Sequence, residues 1–226
     1  SLSFLYSREE FAEQVEMHSK KIENLFGQRP KVFRNTELIY SNELAAALAQ
    51  MRNPDGTPRF LGALCEGTDA LLGYRSPNYV YRPPDMGGAI TDDREKPFGL
   101  LLKNFRFSNR AWEEWPLSAE KFATWVNQIN GDGFLCNLFM DYETFGEHQW
   151  ADTGIFEFLE KLPEAVFDVA PGQNHFATPS EVLEQFDSVG TYDVHEYISW
   201  ADTERDLTAW RGNAMQWNAL EEMYRL

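Results

Sequence analysis

Three carboxylate side chains follow short apolar runs of the kind that form buried strands. Glu37 ends a polar turn after a short strand, Glu66 follows residues 61–65, and Asp141 follows the nearly continuous apolar run 134–140. In barrels of alternating strands and helices, the reacting groups stand at the carboxyl ends of the strands. The three acids are therefore expected at one edge of the sheet, where carboxylates can act as nucleophiles or as general acids and bases.

The surroundings of Glu37 and Asp141 favour chemistry, although a carboxylate after a strand is often only a helix N-cap or a turn former. Glu37 has hydrogen-bonding neighbours in Arg34-Asn35-Thr36, and Asp141 opens a dense polar and aromatic run that extends to Trp150. Two carboxylates in different environments suit hydrolysis of a glycosidic bond, because one attacks the anomeric carbon while the other transfers protons. A retaining mechanism needs the two carboxyl groups about 5 Å apart.

Aromatic residues make up 15% of the chain, including seven tryptophans, and aromatic rings can stack on sugar faces. These rings can equally belong to the core, and Asp202 can equally start a helix. Glu143 can tune the pKa of Asp141 through like-charge repulsion, bind a sugar hydroxyl or cap the next helix. Beside Glu37 and Asp141, the predicted substrate contacts are Arg34, Glu66, Trp112, Trp115, Glu143, His148, Trp200 and Asp202.

The composition argues against several other classes of protein. The formal net charge is −16, which disfavours nucleic acid and anionic membrane as partners because phosphates bind clustered Lys and Arg. The four histidines have no metal-ligand spacing and the chain has no Cys-x-x-Cys motif, so no metal is expected. A Gly-x-Ser-x-Gly elbow is also absent from the sequence, which disfavours a serine hydrolase.

The cysteines and the hydropathy pattern bear on the compartment. Cys65 and Cys136 lie inside apolar segments, which favours two core thiols over a disulfide and agrees with a reducing compartment. No apolar run approaches the length of a membrane span, and no secretory signal peptide is recognisable. We therefore predict a cytoplasmic protein, and the sequence leaves its oligomeric state open.

Short strands alternate with amphipathic helices, which predicts an α/β fold around a parallel sheet. Ser7 and Glu10 predict a capping box at the start of the first helix, and Gly27 predicts its end. The run 134–140 predicts a strand buried on both faces, and residues 82–97 predict a long loop. The predicted strands are 31–33, 61–65, 100–107 and 134–140; the predicted helices are 7–26, 41–51, 118–129, 153–162, 178–186 and 202 to the end.

Six segments of the chain, taken together in this order, form a specific sequence pattern: 33–40, 76–79, 107–112, 138–147, 178–181 and 198–206. They begin with Phe-Arg-Asn-Thr-Glu-Leu-Ile-Tyr and include Leu-Phe-Met-Asp-Tyr-Glu-Thr-Phe-Gly-Glu. With these segments the chain resembles glycoside hydrolase family 57, specifically its α-amylase and amylase-like branch. The resemblance implies an incomplete (β/α)7 barrel, TIM-barrel-like, over residues 1–200 and the start of a helical C-terminal region over residues 201–226.

The resemblance also implies roles for the two acids. The family's nucleophile matches Glu37, and its general acid/base, at the head of an Asp-x-Glu-x-Phe-Gly pattern, matches Asp141. A retaining α-glucan hydrolase is implied, one that cleaves α-1,4-glucosidic bonds of an α-glucan or maltooligosaccharide by double displacement, without an organic cofactor. Two alternatives stay open: a noncatalytic amylase-like glucan-binding protein, and a 4-α-glucanotransferase or branching enzyme of the same family.

Two features depart from the family pattern. Family members begin their barrel with a strand that carries a His-Gln-Pro motif, and this chain has no counterpart of it. An upstream part of the barrel is therefore expected to be missing from the chain or supplied elsewhere, because exposed sheet edges need cover. Relatives also carry a polar stretch where Asn104 and Phe105 are adjacent here, which predicts a shortened loop at that junction.

Overall fold

A four-stranded mixed sheet lies at the centre of the molecule. The computed structural model describes residues 1–85, 88, 90, 95–109 and 114–225. The strands are β1 (Val32–Phe33), β2 (Gly62–Cys65), β3 (Val80–Tyr81) and β4 (Gly99–Leu102). Their order is β1-β2-β4-β3, with β1, β2 and β4 parallel and β3 antiparallel to β4. The predicted α/β fold with parallel strand pairing is thus confirmed.

Helices cover the sheet, and several begin at capping side chains, of which the sequence predicts Ser7. Ser7, Ser41 and Thr178 each accept a hydrogen bond from a backbone N–H in the first turn of the following helix, which contributes about 1 kcal/mol per cap. The Glu10 carboxylate accepts from the Gln14 amide, so the predicted Ser7 box is half formed. The helices are α1 (Arg8–Phe26), α2 (Asn42–Gln50), α3 (Asp69–Leu72), α4 (Phe105–Ser108), α5 (Ala119–Asn127), α6 (Ile155–Val169), α7 (Pro179–Gln185), α8 (Thr208–Arg211) and α9 (Ala214–Met223).

The sheet is buried on both faces because successive side chains of a strand point in opposite directions. Leu100 and Leu102 pack with α1 and α2 in the largest apolar cluster, whereas Leu101 packs with Leu183 of α7 on the opposite face. A separate cluster joins α5 to α6, in which the rings of Phe122 and Phe158 meet edge to face at 5.7 Å. The sheet therefore holds its strand ends rigidly between two layers.

The predicted strand 100–107 is confirmed at its start and wrong at its end. Strand β4 ends at Leu102, and the chain then forms the short helix α4. The cause is Asn104, whose side-chain oxygen accepts from the backbone N–H of Phe107 at 3.0 Å and so caps a helical turn. The junction between Asn104 and Phe105 is this helix start, and it brings Lys103 to the carboxyl end of β4.

The predicted strand 134–140 is wrong, although the segment runs beside the end of β4. Side chains make most of its polar contacts there: the Asn137 amide donates to the Leu102 carbonyl of β4 at 2.9 Å, and the Phe139 N–H donates to the Ser108 hydroxyl of α4 at 3.1 Å. One backbone bond, from the Asn104 N–H to the Asn137 carbonyl at 2.9 Å, lies just beyond β4. The apolar residues alternate between two clusters, with Phe139 facing α7 and Leu138 facing α5 and α6. The segment is half-buried because it lies between these two layers.

Two predicted helices have different lengths in the structure. Helix α6 continues through Pro163 to Val169, well beyond the predicted end at residue 162. The predicted helix from residue 202 to the end is divided into α8 and α9, and no residue of either is buried. The Arg211 guanidinium lies 3.5 Å from the centre of the Trp217 ring, so this ring packs on a cation and not in a core.

Three further predictions concern the cysteines, the loop 82–97 and membrane-spanning helices. Cys65 and Cys136 are both free thiols, as predicted. Part of the predicted loop 82–97 lies outside the described residues. Within the part of the chain that the structure describes, no helix has the length and apolar character needed to cross a bilayer.

Candidate active site

Glu37 lies in a single 3₁₀ turn, Thr36–Leu38, that follows β1. Its backbone occupies the left-handed region (φ 52°, ψ 27°), and Leu38 has φ 51°. Non-glycine residues adopt this region rarely, at a cost of about 1–3 kcal/mol each. The Leu38 side chain is fully buried, and Asn35 accepts from the Thr36 N–H at 3.0 Å. The core thus stabilises a strained turn, and this turn fixes the backbone position from which the Glu37 side chain extends.

A second segment, far along the chain, holds Glu37 from the other side. Tyr40 and Ile198 exchange two backbone hydrogen bonds of 3.0 Å, which brings the following residues against the turn. The Trp200 indole N–H donates to Glu37 Oε2 at 2.8 Å, and the Trp200 backbone N–H donates to the Glu37 carbonyl at 3.0 Å. The buried Ser199 hydroxyl donates to the same carbonyl at 3.1 Å. These contacts leave Glu37 Oε1 as the carboxylate oxygen not held by Trp200.

One cavity of about 390 Å³ joins the two predicted catalytic acids. Glu37 enters it from the turn after β1, and Asp141 enters it from the segment beside β4. Aromatic, cationic and amide side chains surround them, a mixture of apolar surface and a few polar groups that is typical of ligand pockets. The other lining residues are Lys103, Ser108, Asn109, Phe139, Met140, Thr144, His148, Trp200, Ala201, Asp202, Thr203 and Arg205.

Asp141 is exposed to solvent and has an extended backbone (φ −75°, ψ 143°). Its carbonyl accepts from the N–H of the buried Thr144 at 3.2 Å, so it begins the 3₁₀ turn Tyr142–Thr144. The position at the end of a segment fastened to β4 agrees with a strand-end acid, although that segment is not a strand. Glu37 and Asp141 therefore differ in environment: Trp200 holds one, and water reaches the other.

Glu66, Lys103 and Arg205 form an ionic cluster in which Glu66 and Lys103 are buried and Arg205 is half-buried; Lys103 and Arg205 also line the cavity. Glu66 Oε2 is 3.9 Å from Lys103 Nζ and 3.9 Å from an Arg205 guanidinium nitrogen. Burial raises the pKa of the Glu66 carboxyl, and the two cations only partly oppose this. Glu66 is 1% exposed. In the structure it is a buried counter-charge that does not line the cavity with Glu37 and Asp141, and its predicted role as a substrate contact stays a prediction.

Three of the predicted substrate contacts line the cavity: His148, Trp200 and Asp202. Asp202 is also a turn former, since its Oδ1 accepts from the Arg205 N–H at 3.0 Å and its Oδ2 accepts from the Thr208 hydroxyl at 3.1 Å. Arg34 is exposed and lies with its guanidinium 5.0 Å from the centre of the Trp200 ring. The structure therefore brings these four residues around Glu37.

Other predicted contacts lie elsewhere. The Trp115 ring packs edge to face on Phe158 at 5.5 Å, and its N–H donates to the Thr153 carbonyl; it is part of the helical cluster and not of the cavity. Glu143 is exposed and does not line the cavity. Its carbonyl caps the following turn by accepting from the N–H of His148 at 2.8 Å. Trp112 lies outside the described residues.

Sequence reasoning missed two residues of the site, Lys103 and Arg205. Lys103 follows the apolar strand β4 directly, so the same strand-end argument that selects Glu66 would also select it. Its ammonium lies 4.5 Å from the centre of the Trp200 ring, a cation–π contact that no local pattern indicates. Arg205 has the left-handed φ of 57° and donates to the Trp200 carbonyl at 3.3 Å. Among the described residues, no group of three or more His, Cys, Asp or Glu is placed to hold a metal ion.

The fold and the cavity describe an α/β protein with two carboxylates in one cleft, and comparison with known sequences gives its family. The sequence profile of glycosyl hydrolase family 57 matches residues 1–195, and the chain belongs to that family. A protein of Methanocaldococcus jannaschii named "Putative alpha-amylase" is 42% identical over 235 aligned residues, which include 99% of this chain. The chain spans 45% of the length of that relative. No solved structure matches the chain significantly.

Proposed function

We propose that the protein is a retaining α-glucan hydrolase that cleaves α-1,4-glucosidic bonds, with Glu37 as nucleophile and Asp141 as general acid/base. The observation that carries this proposal is the single cavity lined by both acids: Glu37 follows strand β1, and Asp141 follows the segment that is hydrogen-bonded to the end of β4. Family membership supports a glycoside substrate. The name of the archaeal relative supports an α-glucan, and we extend it to maltooligosaccharides.

Each acid has a distinct task in this proposal. Glu37 Oε1 attacks the anomeric carbon while the Asp141 carboxyl gives its proton to the leaving glycosidic oxygen, and a covalent glycosyl–Glu37 ester forms. Asp141, now a carboxylate, then takes a proton from water, whose oxygen attacks the same carbon and releases Glu37. The Trp200 hydrogen bond to Oε2 keeps the nucleophile in one orientation and stabilises its negative charge when it leaves.

Hydrolysis, rather than glucan transfer, is favoured by the exposure of Asp141. A solvent-exposed acid/base gives water direct access to the intermediate, whereas transfer needs a second glucan to arrive first. A noncatalytic glucan-binding protein would have no need of two acids in the same cavity. It remains the outcome to be excluded by assay.

We also propose that the sheet is part of an incomplete (β/α)7 barrel over residues 1–200 and that residues 201–226 begin a helical region. The parallel arrangement of β1, β2 and β4 supports this, because parallel strands joined by helices are the repeating unit of such barrels. Glu37, Glu66 and Lys103 all follow the carboxyl ends of these strands, where barrel enzymes bind their substrates.

Turnover of maltooligosaccharides by matched variants tests the catalytic assignment. Glu37→Gln and Asp141→Asn should each lower kcat by about a thousandfold or more, since each removes a reacting group. Glu13→Gln and Asp152→Asn make the same chemical changes at exposed positions away from the cavity, and both should keep wild-type kcat. Near-normal activity of either cavity variant would contradict the proposal, and a wild-type protein that binds glucan without cleaving it would favour the noncatalytic alternative.

The stereochemistry of the product tests the mechanism independently. Double displacement retains the configuration, so proton NMR of the first product should contain the α-anomer before mutarotation. A β-anomer formed first would indicate inversion and would exclude Glu37 as a covalent nucleophile. Mass spectrometry with a slow fluorinated α-glucosyl fluoride should then find the added sugar on the peptide that contains Glu37.

A further inference from the structure

Lys103 is the link between the buried cluster and the nucleophile. Its residue is 6% exposed, its ammonium is 3.9 Å from Glu66 Oε2, and the same ammonium is 4.5 Å from the centre of the Trp200 ring. That ring carries the N–H that donates to Glu37 Oε2 at 2.8 Å. Four side chains from four separate parts of the chain are thus connected in a row by charge and ring contacts.

A buried ammonium is costly unless something compensates for its lost hydration. Glu66 supplies the charge and the indole ring supplies a second favourable contact, since a cation is attracted to the negative face of an aromatic ring. The attraction acts in both directions: it holds the ring, and it withdraws electron density from it, which makes the indole N–H a stronger donor. Arg34 also contacts this ring, but it is exposed, so water screens its charge.

We propose that Lys103 is a positioning residue for the nucleophile: it fixes and polarises the Trp200 indole, whose N–H holds Glu37, and Glu66 serves as its counter-charge. This inference rests on the proposed role of Glu37. It assigns a task in the reaction to two buried residues that act through Trp200. Lys103 lines the cavity that holds Glu37 although it is largely buried, and Glu66 does not line that cavity.

The competing explanation is that Lys103 only neutralises Glu66 and so stabilises the fold. The two explanations differ in a variant from which both charges have been removed. Replacing a buried ion pair by neutral groups of similar size often preserves stability. Arg205, the other cation near Glu66, keeps its hydrogen bond to the Trp200 carbonyl and partial exposure to water when Glu66 is neutralised. If neutralisation were the whole role of Lys103, the double variant Glu66→Gln/Lys103→Met would therefore be fully active. If Lys103 positions Trp200, the double variant stays impaired however well it folds.

Three variants are compared in steady-state kinetics and thermal unfolding. They are Lys103→Met, the double variant, and the control Lys161→Met, which removes an exposed lysine paired with Glu157 on α6. Lys103→Met and the double variant should lose about tenfold or more in kcat, with KM changed less than about threefold, because the indole hydrogen bond acts on Glu37 and not on the substrate. The control should keep wild-type kcat and KM. Should Lys103→Met fail to fold, the double variant decides the question.

A spectroscopic readout separates this inference from the assignment of Glu37. The indole N–H proton of Trp200, identified by its loss in Trp200→Phe, should resonate downfield in the wild type because it is bonded to a carboxylate. It should move upfield in the double variant and stay in place in Lys161→Met. An unmoved indole proton together with wild-type kcat in the double variant would overturn the inference. Full activity of Glu37→Gln would instead refute the proposed function, while the indole shift would still report whether Lys103 positions Trp200.

Discussion

Trp200 and Glu37 are joined by two hydrogen bonds although 163 residues separate them in sequence. The indole N–H donates to Glu37 Oε2 at 2.8 Å, and the backbone N–H donates to the Glu37 carbonyl at 3.0 Å. One bond orients the carboxylate and the other stabilises the strained backbone that carries it. The geometry of Glu37, the proposed nucleophile, is thus determined by two distant segments together.

Replacing the Trp200 indole by a phenyl ring, which keeps an aromatic side chain but removes the N–H donor, should therefore slow the reaction. Trp200→Phe deletes a hydrogen bond to a charged group, worth about 1.5–3 kcal/mol, so kcat should fall about 10- to 100-fold. The matched control is Trp217→Phe, because Trp217 also carries a cation on its ring but does not line the cavity. Equal kcat values for the two variants in maltooligosaccharide hydrolysis would show that the indole bond has no part in catalysis.

The Ser199 hydroxyl should support the same turn. Ser199 is fully buried; its hydroxyl donates to the Glu37 carbonyl at 3.1 Å and accepts from the Ala201 N–H at 3.0 Å. Ser199→Ala leaves both groups without this partner, so the free energy of unfolding should fall by about 1–3 kcal/mol. The strained Glu37 backbone should then relax, and kcat should fall as well.

A second variant with a similar loss of stability shows whether the lower kcat of Ser199→Ala is caused by its lower stability. Ser118→Ala removes the N-cap of α5 and should cost about 1 kcal/mol, far from the cavity. Urea unfolding and kcat are measured for both variants. If both lose stability and neither loses kcat, the hydroxyl supports only the fold.

The parts of the fold that sequence predicts are those fixed by neighbours in the chain. Ser7, Ser41 and Thr178 cap helices because each reaches an N–H two or three residues away. Glu37 and Glu66 are predicted at strand ends because the strands are short apolar runs. The apolar run 134–140 has the composition of a strand, but it does not form one, because the Ser108 hydroxyl of α4 binds its backbone at Asn137 and Phe139 and the Leu102 carbonyl of β4 accepts from its Asn137 side chain.

The site contacts that sequence does not predict are long-range. No local pattern pairs Trp200 with Glu37, and Lys103 enters the site only through the sheet order that sets β2 beside β4. Trp115 and Trp200 have the same residue type and similar polar neighbours, yet one packs on Phe158 and the other lines the cavity. The positions of the two tryptophans differ because different distant segments of the chain pack beside them.

The thiol of Cys136 should be unreactive in the folded protein. Burial raises its pKa to about 12 from an ordinary value of 9.0, and burial also raises the pKa of Cys65. A raised pKa keeps the thiol protonated until the pH approaches it, so at pH 8 the reactive thiolate is about a thousandfold scarcer than for an ordinary thiol. A disulfide reagent at pH 8 should label neither cysteine in buffer and both in concentrated guanidinium. Rapid labelling of Cys136 in the native protein would contradict this burial.

The close approach of β2 to β4 should make Gly62 intolerant of a side chain. Gly62 is in register with Gly99; a Cβ at position 62 would overlap the Gly99 carbonyl oxygen and lie 2.8 Å from Leu183 Cδ1. A Cβ at position 99 would instead meet the Leu183 side chain, which can turn away. Gly62→Ala should therefore lower the free energy of unfolding by about 3 kcal/mol, and Gly99→Ala by about 1 kcal/mol.

Gly190→Ala is the control for this comparison, since a Cβ there would meet no atom within 4 Å; its unfolding free energy should stay within about 0.5 kcal/mol of wild type. Urea unfolding of the three variants measures the order. Equal losses of unfolding free energy for Gly62→Ala and Gly99→Ala would mean that strands β2 and β4 move apart as easily as the Leu183 side chain rotates. Glu66 and Lys103, which follow these two strands, would then lack the rigid spacing that places Lys103 against Trp200. A larger loss for Gly62→Ala would instead mean that the backbone contact between the strands sets that spacing.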